Sequence, residues 1–244
     1  MIPAFRHMGG KARLRNWLID HFPRRGATYC EPFCGKANVF FAARGRLDFD
    51  HWVLSDVDTR FLAALLAINN KDLPLAVERS DFAAWRNRAV RGDPVALAIE
   101  PRITFAGKGY SAGFSGSSGT HVGYSGLAYR RAVTEAQKLL GRDEVVVIER
   151  NWLDTLNTLR SGDFAYIDPP YFGMSACYED ISHESLVARL NTAPFLWAVS
   201  GYSSPLYENN LSYAHRYTCE RNSEIKSSNR RKKTPVTEVL WTCY

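Results

Sequence analysis

The sequence has no apolar run approaching the roughly 20 residues of a membrane span. Its first residues, MIPAFRHMGGK, hold no apolar signal core. There is no C-x-x-C pair, and the five cysteines (Cys30, Cys34, Cys177, Cys219, Cys243) are an odd number for a disulfide framework. Cys30 and Cys34 could form half of a metal site, but no nearby Cys or His run supplies the other half, so no metal is expected. Buried reduced thiols are the simpler reading and point to a reducing, cytoplasmic setting. No internal repeat is present, which argues against a solenoid.

What is there suits a globular chain. The 244 residues are 45% hydrophobic and 23% charged, enough for a full core in one large domain or in a domain carrying an insertion. Lys plus Arg exceed Asp plus Glu by 31 − 25, a net charge of +6 that suits a polyanionic partner without requiring one.

Short β-type runs alternate with helical stretches. Strands are expected at 28–33, 51–56, 145–149, 164–168, 195–200, 216–220 and 238–243, with helices at 36–44 and 61–68. Alternation of this kind predicts an α/β fold around a mostly parallel sheet. Ligands in such sheets bind beyond the carboxyl ends of the strands, where Glu31, Asp56 and Asp168 fall.

The pattern changes between about residues 72 and 127. Residues 72–99 read as helical, with Phe82, Trp85 and Val90 as apolar anchors. The following RITFAGKGYSAGFSGSSGTHVGYSG is too rich in Gly and Ser for a regular packed element. Its Arg102, Lys108, Tyr110, Phe114 and Tyr124 are the cations and aromatics that contact bases and phosphates, though a plain flexible insertion would look similar. KSSNRRKKTP (226–235) sits between two strand-like runs as a long hairpin loop. Its Lys226, Arg230, Arg231, Lys232 and Lys233 could track a phosphate backbone or form a solvated surface.

Three strand ends carry the chemistry. In EPFCGKANVFF (31–41), a glycine turn lets the backbone approach a ligand and Glu31 could hold a cationic group. In VLSDVDTRF (53–61), Asp56 is placed to accept hydrogen bonds from ribose hydroxyls, or else this segment caps a helix through Asp58 or Thr59. In FAYIDPPYFGM (164–174), two prolines end the strand at once and leave Asp168 at its carboxyl edge beside Tyr171.

Asp168-Pro169-Pro170-Tyr171, preceded by Gly9-Gly10-Lys11 and by Glu31-Pro32-Phe33-Cys34-Gly35, resembles the DNA adenine methylase (Dam) family of amino-methyltransferases. The order of the elements also matches, and Asn229 and Thr237-Glu238 extend the correspondence over nearly the whole chain. The resemblance implies a Rossmann-like α/β fold, a seven-stranded mostly parallel sheet with an inserted, mainly helical target-recognition subdomain. Residues 1–71 and 128–244 would form the catalytic S-adenosylmethionine-binding domain, and 72–127 the insertion. The implied activity is site-specific transfer of a methyl group from S-adenosylmethionine to N6 of an adenine flipped out of double-stranded DNA. Asp168, Pro169, Pro170 and Tyr171 would be catalytic. His7, Gly10, Lys11, Glu31, Pro32, Phe33, Gly35, Asp56, Asp154 and Asp168 would bind the cofactor, with Asp154 read equally well as a helix N-terminal acid. Arg102, Lys108, Tyr110, Lys226, Asn229, Arg230, Arg231, Lys232 and Lys233 would bind nucleic acid.

The chemistry needs such a site. The exocyclic nitrogen of adenine is a poor nucleophile because its lone pair is conjugated with the ring. Acceptors for both of its N–H groups, the Asp168 carboxylate and the Pro169 carbonyl, would free that lone pair while Tyr171 stacks on the base. Positioning then supplies most of the rate.

This chain departs from the family at His7, where an aromatic is usual, and at Ala37, where a second glycine is usual. The 102–126 loop matches the family's target-reading segment poorly, so the usual GATC target is not carried over. Two rival readings remain: an RNA N6-adenine methyltransferase, and a DNA-binding protein that has lost methyl transfer.

Overall fold

The computed structural model describes residues 11, 14–70, 73–74, 77–104, 110–114, 126–172, 181–222 and 235–244. In chain order the elements are α1 (Arg15–Asp20), β1 (Arg25–Glu31), α2 (Asn38–Ala43), β2 (Asp48–Asp56), α3 (Thr59–Asn70), α4 (Phe82–Val90) and α5 (Pro94–Ile103). Then follow α6 (Gly126–Leu140), β3 (Val145–Glu149), α7 (Trp152–Thr158), β4 (Phe164–Ile167), α8 (His183–Asn191), β5 (Leu196–Gly201), α9 (Pro205–Asn210), β6 (His215–Asn222) and β7 (Pro235–Thr242).

The seven strands form one sheet in the order β3-β2-β1-β4-β5-β7-β6. β1 to β5 pair in parallel, and β7 runs antiparallel between β5 and β6. The expected seven-stranded, mostly parallel, Rossmann-like sheet is what forms.

Burial on both faces explains why the strands read as short apolar runs rather than alternating ones. All four residues of β4 are buried. Phe164 and Tyr166 join one core with Tyr29, Trp52 and Leu240, while Ala165 and Ile167 join the other with Trp197, Val199 and Trp241. Strand period 2 thus feeds two helix layers from one strand.

The segment expected as one helix over 72–99 is two. Gly92 takes a left-handed φ of 77° after α4, a conformation that costs glycine little. Asp93 then accepts from the N–H groups of Val95 (2.9 Å) and Ala96 (3.0 Å), with Pro94 in the first turn of α5. Phe82 and Trp85 pack against the core as expected, but Val90 is 82% exposed and anchors nothing. α5 packs on α3, which ties this region to the sheet.

Candidate active site

The strand order reverses between β1 and β4: the chain proceeds outward from β1 through β2 to β3, and from β4 to β5 on the other side. This switch point leaves a crevice beyond the carboxyl ends of the two central strands. Glu31 closes β1 and Asp168 follows β4, so both carboxylates stand at that crevice.

Among the described residues, Asp168 is held on one side only. Its Oδ1 accepts from Lys11 Nζ at 2.7 Å and from the Ser200 hydroxyl at 3.2 Å. Its Oδ2 has no partner among the described residues, and the side chain is 24% exposed. Ser200 is in turn within 2.8 Å of the Tyr166 hydroxyl, so β4 and β5 together fix the carboxylate. Burial raises the pKa of Asp168 above the usual carboxylate value and Glu238 adds to this, while Lys11 and Ser200 oppose it.

Lys11 is buried between two acids, Asp168 and Glu238, the latter 3.0 Å away on β7. The Tyr171 hydroxyl donates to Glu238 Oε1 and also meets Lys11 Nζ. Tyr171 packs edge-on against Tyr202, with ring centroids 4.5 Å apart. Burial and the two acids hold the Tyr171 hydroxyl firmly un-ionised. Lys11, expected at the cofactor, is therefore a partner of Asp168 in this structure.

The loop after β1 is fixed mainly by its own main chain. Cys34 N–H donates to the Ser55 carbonyl (3.0 Å), Ala37 N–H to the Cys34 carbonyl (2.7 Å), and Gly35 N–H to Asp56 Oδ2 (2.8 Å). Asp56 Oδ1 accepts from Asp58 N–H at 3.0 Å, and Asp58 in turn caps the start of α3 through Arg60 N–H at 2.9 Å. Burial raises Asp56 above the usual carboxylate value. Gly35 and Ala37 both adopt left-handed φ, 48° and 51°. Pro32 is buried, and Phe33 lies nearly parallel to Trp152 at 6.3 Å.

Glu31 is buried and accepts from the Tyr29 hydroxyl at 2.8 Å. Burial pushes its carboxyl up to about 8, Asp168 adding to the shift and the Tyr29 hydroxyl and Phe40 N–H working against it. Such a group is poised to be ionised by an arriving cation. Asn38 Oδ1, just beyond the same loop, is buried without a partner among the described residues. A buried acid, a second acid on the next strand and an orphaned acceptor fit a cationic ligand bearing hydroxyl and ammonium donors, as S-adenosylmethionine does.

The remaining expected residues fall unevenly. Asp154 forms a reciprocal cap with Asn151 at the start of α7, accepting from its Nδ2 while its own N–H donates to Asn151 Oδ1 at 2.9 Å. Tyr110 corrects the nucleic-acid set: it is buried, its hydroxyl donates to the Ala96 carbonyl at 3.0 Å, and its ring packs on Phe82 at 5.4 Å. An aromatic flanked by glycines looked exposed, but the ring joins the large core cluster instead. Arg102 lies in α5. His7, Gly10, Lys108, Lys226, Asn229, Arg230, Arg231, Lys232 and Lys233 lie outside the described residues. The basic stretch lies in sequence between β6 and β7, which pair antiparallel from His215–Thr242 to Asn222–Pro235.

Sequence reasoning assigned no role to Glu238, Ser200, Tyr166 or Lys36. Glu238 had a signal, an isolated acid in the apolar strand TEVLW, and Thr237-Glu238 already belonged to the resemblance. Lys36 is buried in the loop after β1, and burial pulls its ammonium down to about 8 against the pull of Glu100 and Asp58. Cys30 and Cys34 are buried free thiols. No helix among the described residues is long and apolar enough to cross a membrane.

Comparison with known proteins adds a family. Among curated proteins none matches the chain. Three solved structures share its general layout at low identity. A candidate RNA methyltransferase from Pyrococcus horikoshii is 10% identical, covering 98% of this chain and 84% of its own, with a TM-score of 0.47. The precorrin 8W decarboxylase of Methanobacterium thermoautotrophicum is 10% identical over 99% of this chain and 98% of its own (TM-score 0.47). The precorrin-6y C5,15-methyltransferase of Geobacter metallireducens is 10% identical over 98% of each (TM-score 0.46). At this level of likeness none of them bears on the substrate. The family comparison is more specific, and it bears out the resemblance seen in the motifs: over residues 7–88 the chain matches the D12 class N6 adenine-specific DNA methyltransferases, which implies S-adenosylmethionine as its methyl donor.

Proposed function

We propose that this chain is a site-specific DNA methyltransferase that places a methyl group on N6 of an adenine flipped out of duplex DNA. The observation that carries this reading is the one-sided anchoring of Asp168 at the switch point. Oδ1 is committed to Lys11 and Ser200, while Oδ2 has no described partner. A carboxylate held in this way can accept one N6–H while the Pro169 carbonyl accepts the other, which leaves the nitrogen lone pair directed at the donor. Lys11 opposes the effect of burial on Asp168 and so favours the ionised form, the stronger acceptor. As the N–C bond forms, positive charge develops on the nitrogen. The fixed carboxylates of Asp168 and Glu238 are already in place to stabilise it.

S-adenosylmethionine supplies an activated methyl group as a sulfonium. Glu31, Asp56, Asn38 and the main chain from Phe33 to Ala37 are the groups that would hold it. Residues 1–71 and 128–244 form the catalytic part in this reading, and 72–127 the part that reads the target. The basic stretch from Lys226 to Lys233 would grip phosphates without regard to sequence. The long 72–127 insertion favours duplex DNA over RNA, because direct readout of duplex DNA needs an element that reaches base edges in the major groove.

Labelled S-adenosylmethionine, supplied with unmethylated genomic DNA and separately with total RNA, tests this. Products are digested to nucleosides and identified by mass. N6-methyladenine in the DNA alone is the expected result. Label confined to RNA would replace the substrate, and cofactor binding without transfer to either would leave a binding protein.

A further inference from the structure

We propose that Tyr166 is a positioning residue for Asp168, acting through the Ser200 hydroxyl, a role that rests on the reading of Asp168 given above. Tyr166 lies on β4 two residues before Asp168, and Ser200 lies on the neighbouring β5. Both are buried, at 2% and 1% exposure. The direction of their hydrogen bonds follows from counting hydrogens. An ionised carboxylate has none to give, so the Ser200 hydroxyl donates to Asp168 Oδ1 at 3.2 Å. Serine has a single hydroxyl hydrogen, and that contact uses it. The Tyr166 hydroxyl, 2.8 Å from Ser200 Oγ, must therefore be the donor there. The chain runs from Tyr166 to Ser200 to Asp168, one hydrogen at each step.

This chain does what Lys11 cannot. Lys11 reaches Asp168 on a flexible stem and divides its ammonium between Asp168 (2.7 Å) and Glu238 (3.0 Å). Ser200 and Tyr166 approach the same Oδ1 from the sheet. A lone serine hydroxyl could turn away, but one that already accepts from Tyr166 is held with its own hydrogen on the carboxylate. The tyrosine ring is itself fixed, packed on Phe22 with centroids 5.1 Å apart. With Oδ1 pinned by two groups, the orientation of Oδ2 is set. The adjacent strand repeats the plan: Tyr29, two residues before Glu31 on β1, donates to that acid directly at 2.8 Å. Strand period 2 puts such a tyrosine on the same face as the acid it serves.

A pH dependence follows. The charged and titratable groups around Asp168 are Lys11, Glu238 on β7, Glu31 on β1, Tyr171 on its own turn and Tyr166 behind Ser200. Burial and Glu238 favour the protonated carboxyl, while Lys11 and the Ser200 hydroxyl favour the carboxylate. Both tyrosines stay un-ionised, since burial and the nearby acids raise them. A protonated Asp168 is a poorer acceptor, so transfer should fall on an acid limb as it protonates. Weakening the Ser200 hydrogen bond removes a contact that favours the carboxylate, and the limb should then move to higher pH.

The test uses the full chain with S-adenosylmethionine and unmethylated DNA. Tyr166→Phe keeps the packed ring and removes only the hydroxyl. It should lower kcat by about 10-fold, the scale of one lost hydrogen bond, with KM little changed and the acid limb moved to higher pH. Ser200→Ala should lower kcat by about 10²-fold, the scale of a misplaced reacting group, and move the limb further. Because the tyrosine acts through the serine, adding Tyr166→Phe to Ser200→Ala should lower kcat no further. An undiminished kcat or an unmoved limb in Tyr166→Phe, or losses that add in the double variant, would overturn the role. Carboxyl-carbon NMR of Asp168 in the cofactor-free chain separates this from failure of the function itself. Even if the wild type methylates nothing, the Asp168 pKa should rise in Tyr166→Phe and rise further in Ser200→Ala, and an unmoved value in Tyr166→Phe would overturn the proposal.

Discussion

The two loops that flank the switch point are built on opposite plans. The loop after β1 is fixed chiefly by main-chain groups: Cys34 to Ser55, Ala37 to Cys34, and Gly35 to the side chain of Asp56. The turn after β4 is fixed by side chains, with Lys11 and Ser200 on Asp168 and Glu238 on Tyr171. A loop held through its backbone tolerates changes of side chain, which is why Ala37 can stand where the resembled family usually has a second glycine. A turn held through side chains does not. The first loop offers a surface to a ligand, while the second aims single atoms.

The largest effect should come from breaking the second plan. Asp168→Ala removes the only carboxylate aimed from that turn, and methyl transfer should fall by about 10³-fold or more, the scale of losing a fixed electrostatic contact in a site of this kind. Stability should change much less, because Lys11 keeps Glu238 as its ion-pair partner. Affinity for DNA should persist, since the proposed phosphate contacts lie elsewhere. Single-turnover assays and a DNA-binding isotherm on the same preparation check both halves. Activity retained in Asp168→Ala would remove the aspartate from the chemistry.

Glu31→Gln probes the first plan. The Glu31 carboxyl is pushed from 4.5 to about 8 on folding. A carboxyl raised in this way has its folded-state advantage below pH 4.5, loses it progressively as pH rises, and has lost it above about 8. At pH 8 the wild type therefore carries a buried-charge penalty on the order of several kcal/mol, at 1.36 kcal/mol per unit. Glu31→Gln, which cannot ionise, should be the more stable protein at pH 8 and should converge on the wild type near pH 4. The same substitution should weaken cofactor binding and abolish the proton release that accompanies it in the wild type below pH 8. Denaturant titrations at several pH values, and calorimetry in buffers of different ionisation heat, measure these. Equal stability slopes in the two proteins would show that Glu31 is charged before any ligand arrives.

Legibility from sequence follows the range of the interactions involved. Strand positions were readable where a short apolar run is cut off sharply, as β4 is by Asp168-Pro169, and β3 falls where expected, at Val145–Glu149. The DPPY turn was readable because two prolines after an apolar run permit little else. The break at Gly92-Asp93-Pro94 carries local capping chemistry, yet the apolar spacing on both sides obscured it. Glu238 was readable only through the resemblance, and Ser200 was not readable as a partner of Asp168. Their contacts depend on β7 entering the sheet beside β5 and on β5 lying beside β4, which no local pattern encodes. Tyr110 misled for a related reason, since a glycine-rich flank does not reveal that a hydroxyl will reach the Ala96 carbonyl.

The smallest effect lies in the first loop, at Ala37. Its φ of 51° is left-handed, a conformation that costs an alanine roughly 1–2 kcal/mol relative to the right-handed one. Ala37→Gly removes that cost but gives up a buried methyl group, worth about 0.8 kcal/mol, and adds backbone freedom to the unfolded chain, worth about 0.4–1 kcal/mol. The terms nearly cancel, so stability should change by less than about 1 kcal/mol, and the hydrogen bonds from Ala37 N–H to Cys34 and from Phe41 N–H to Ala37 should survive. Cofactor affinity should change little for the same reason. A loss above about 2 kcal/mol would mean that the methyl group, fully buried in the core, anchors the loop by packing. The loop would then belong to the same side-chain plan as the turn opposite it, and the contrast between the two would fail at this position.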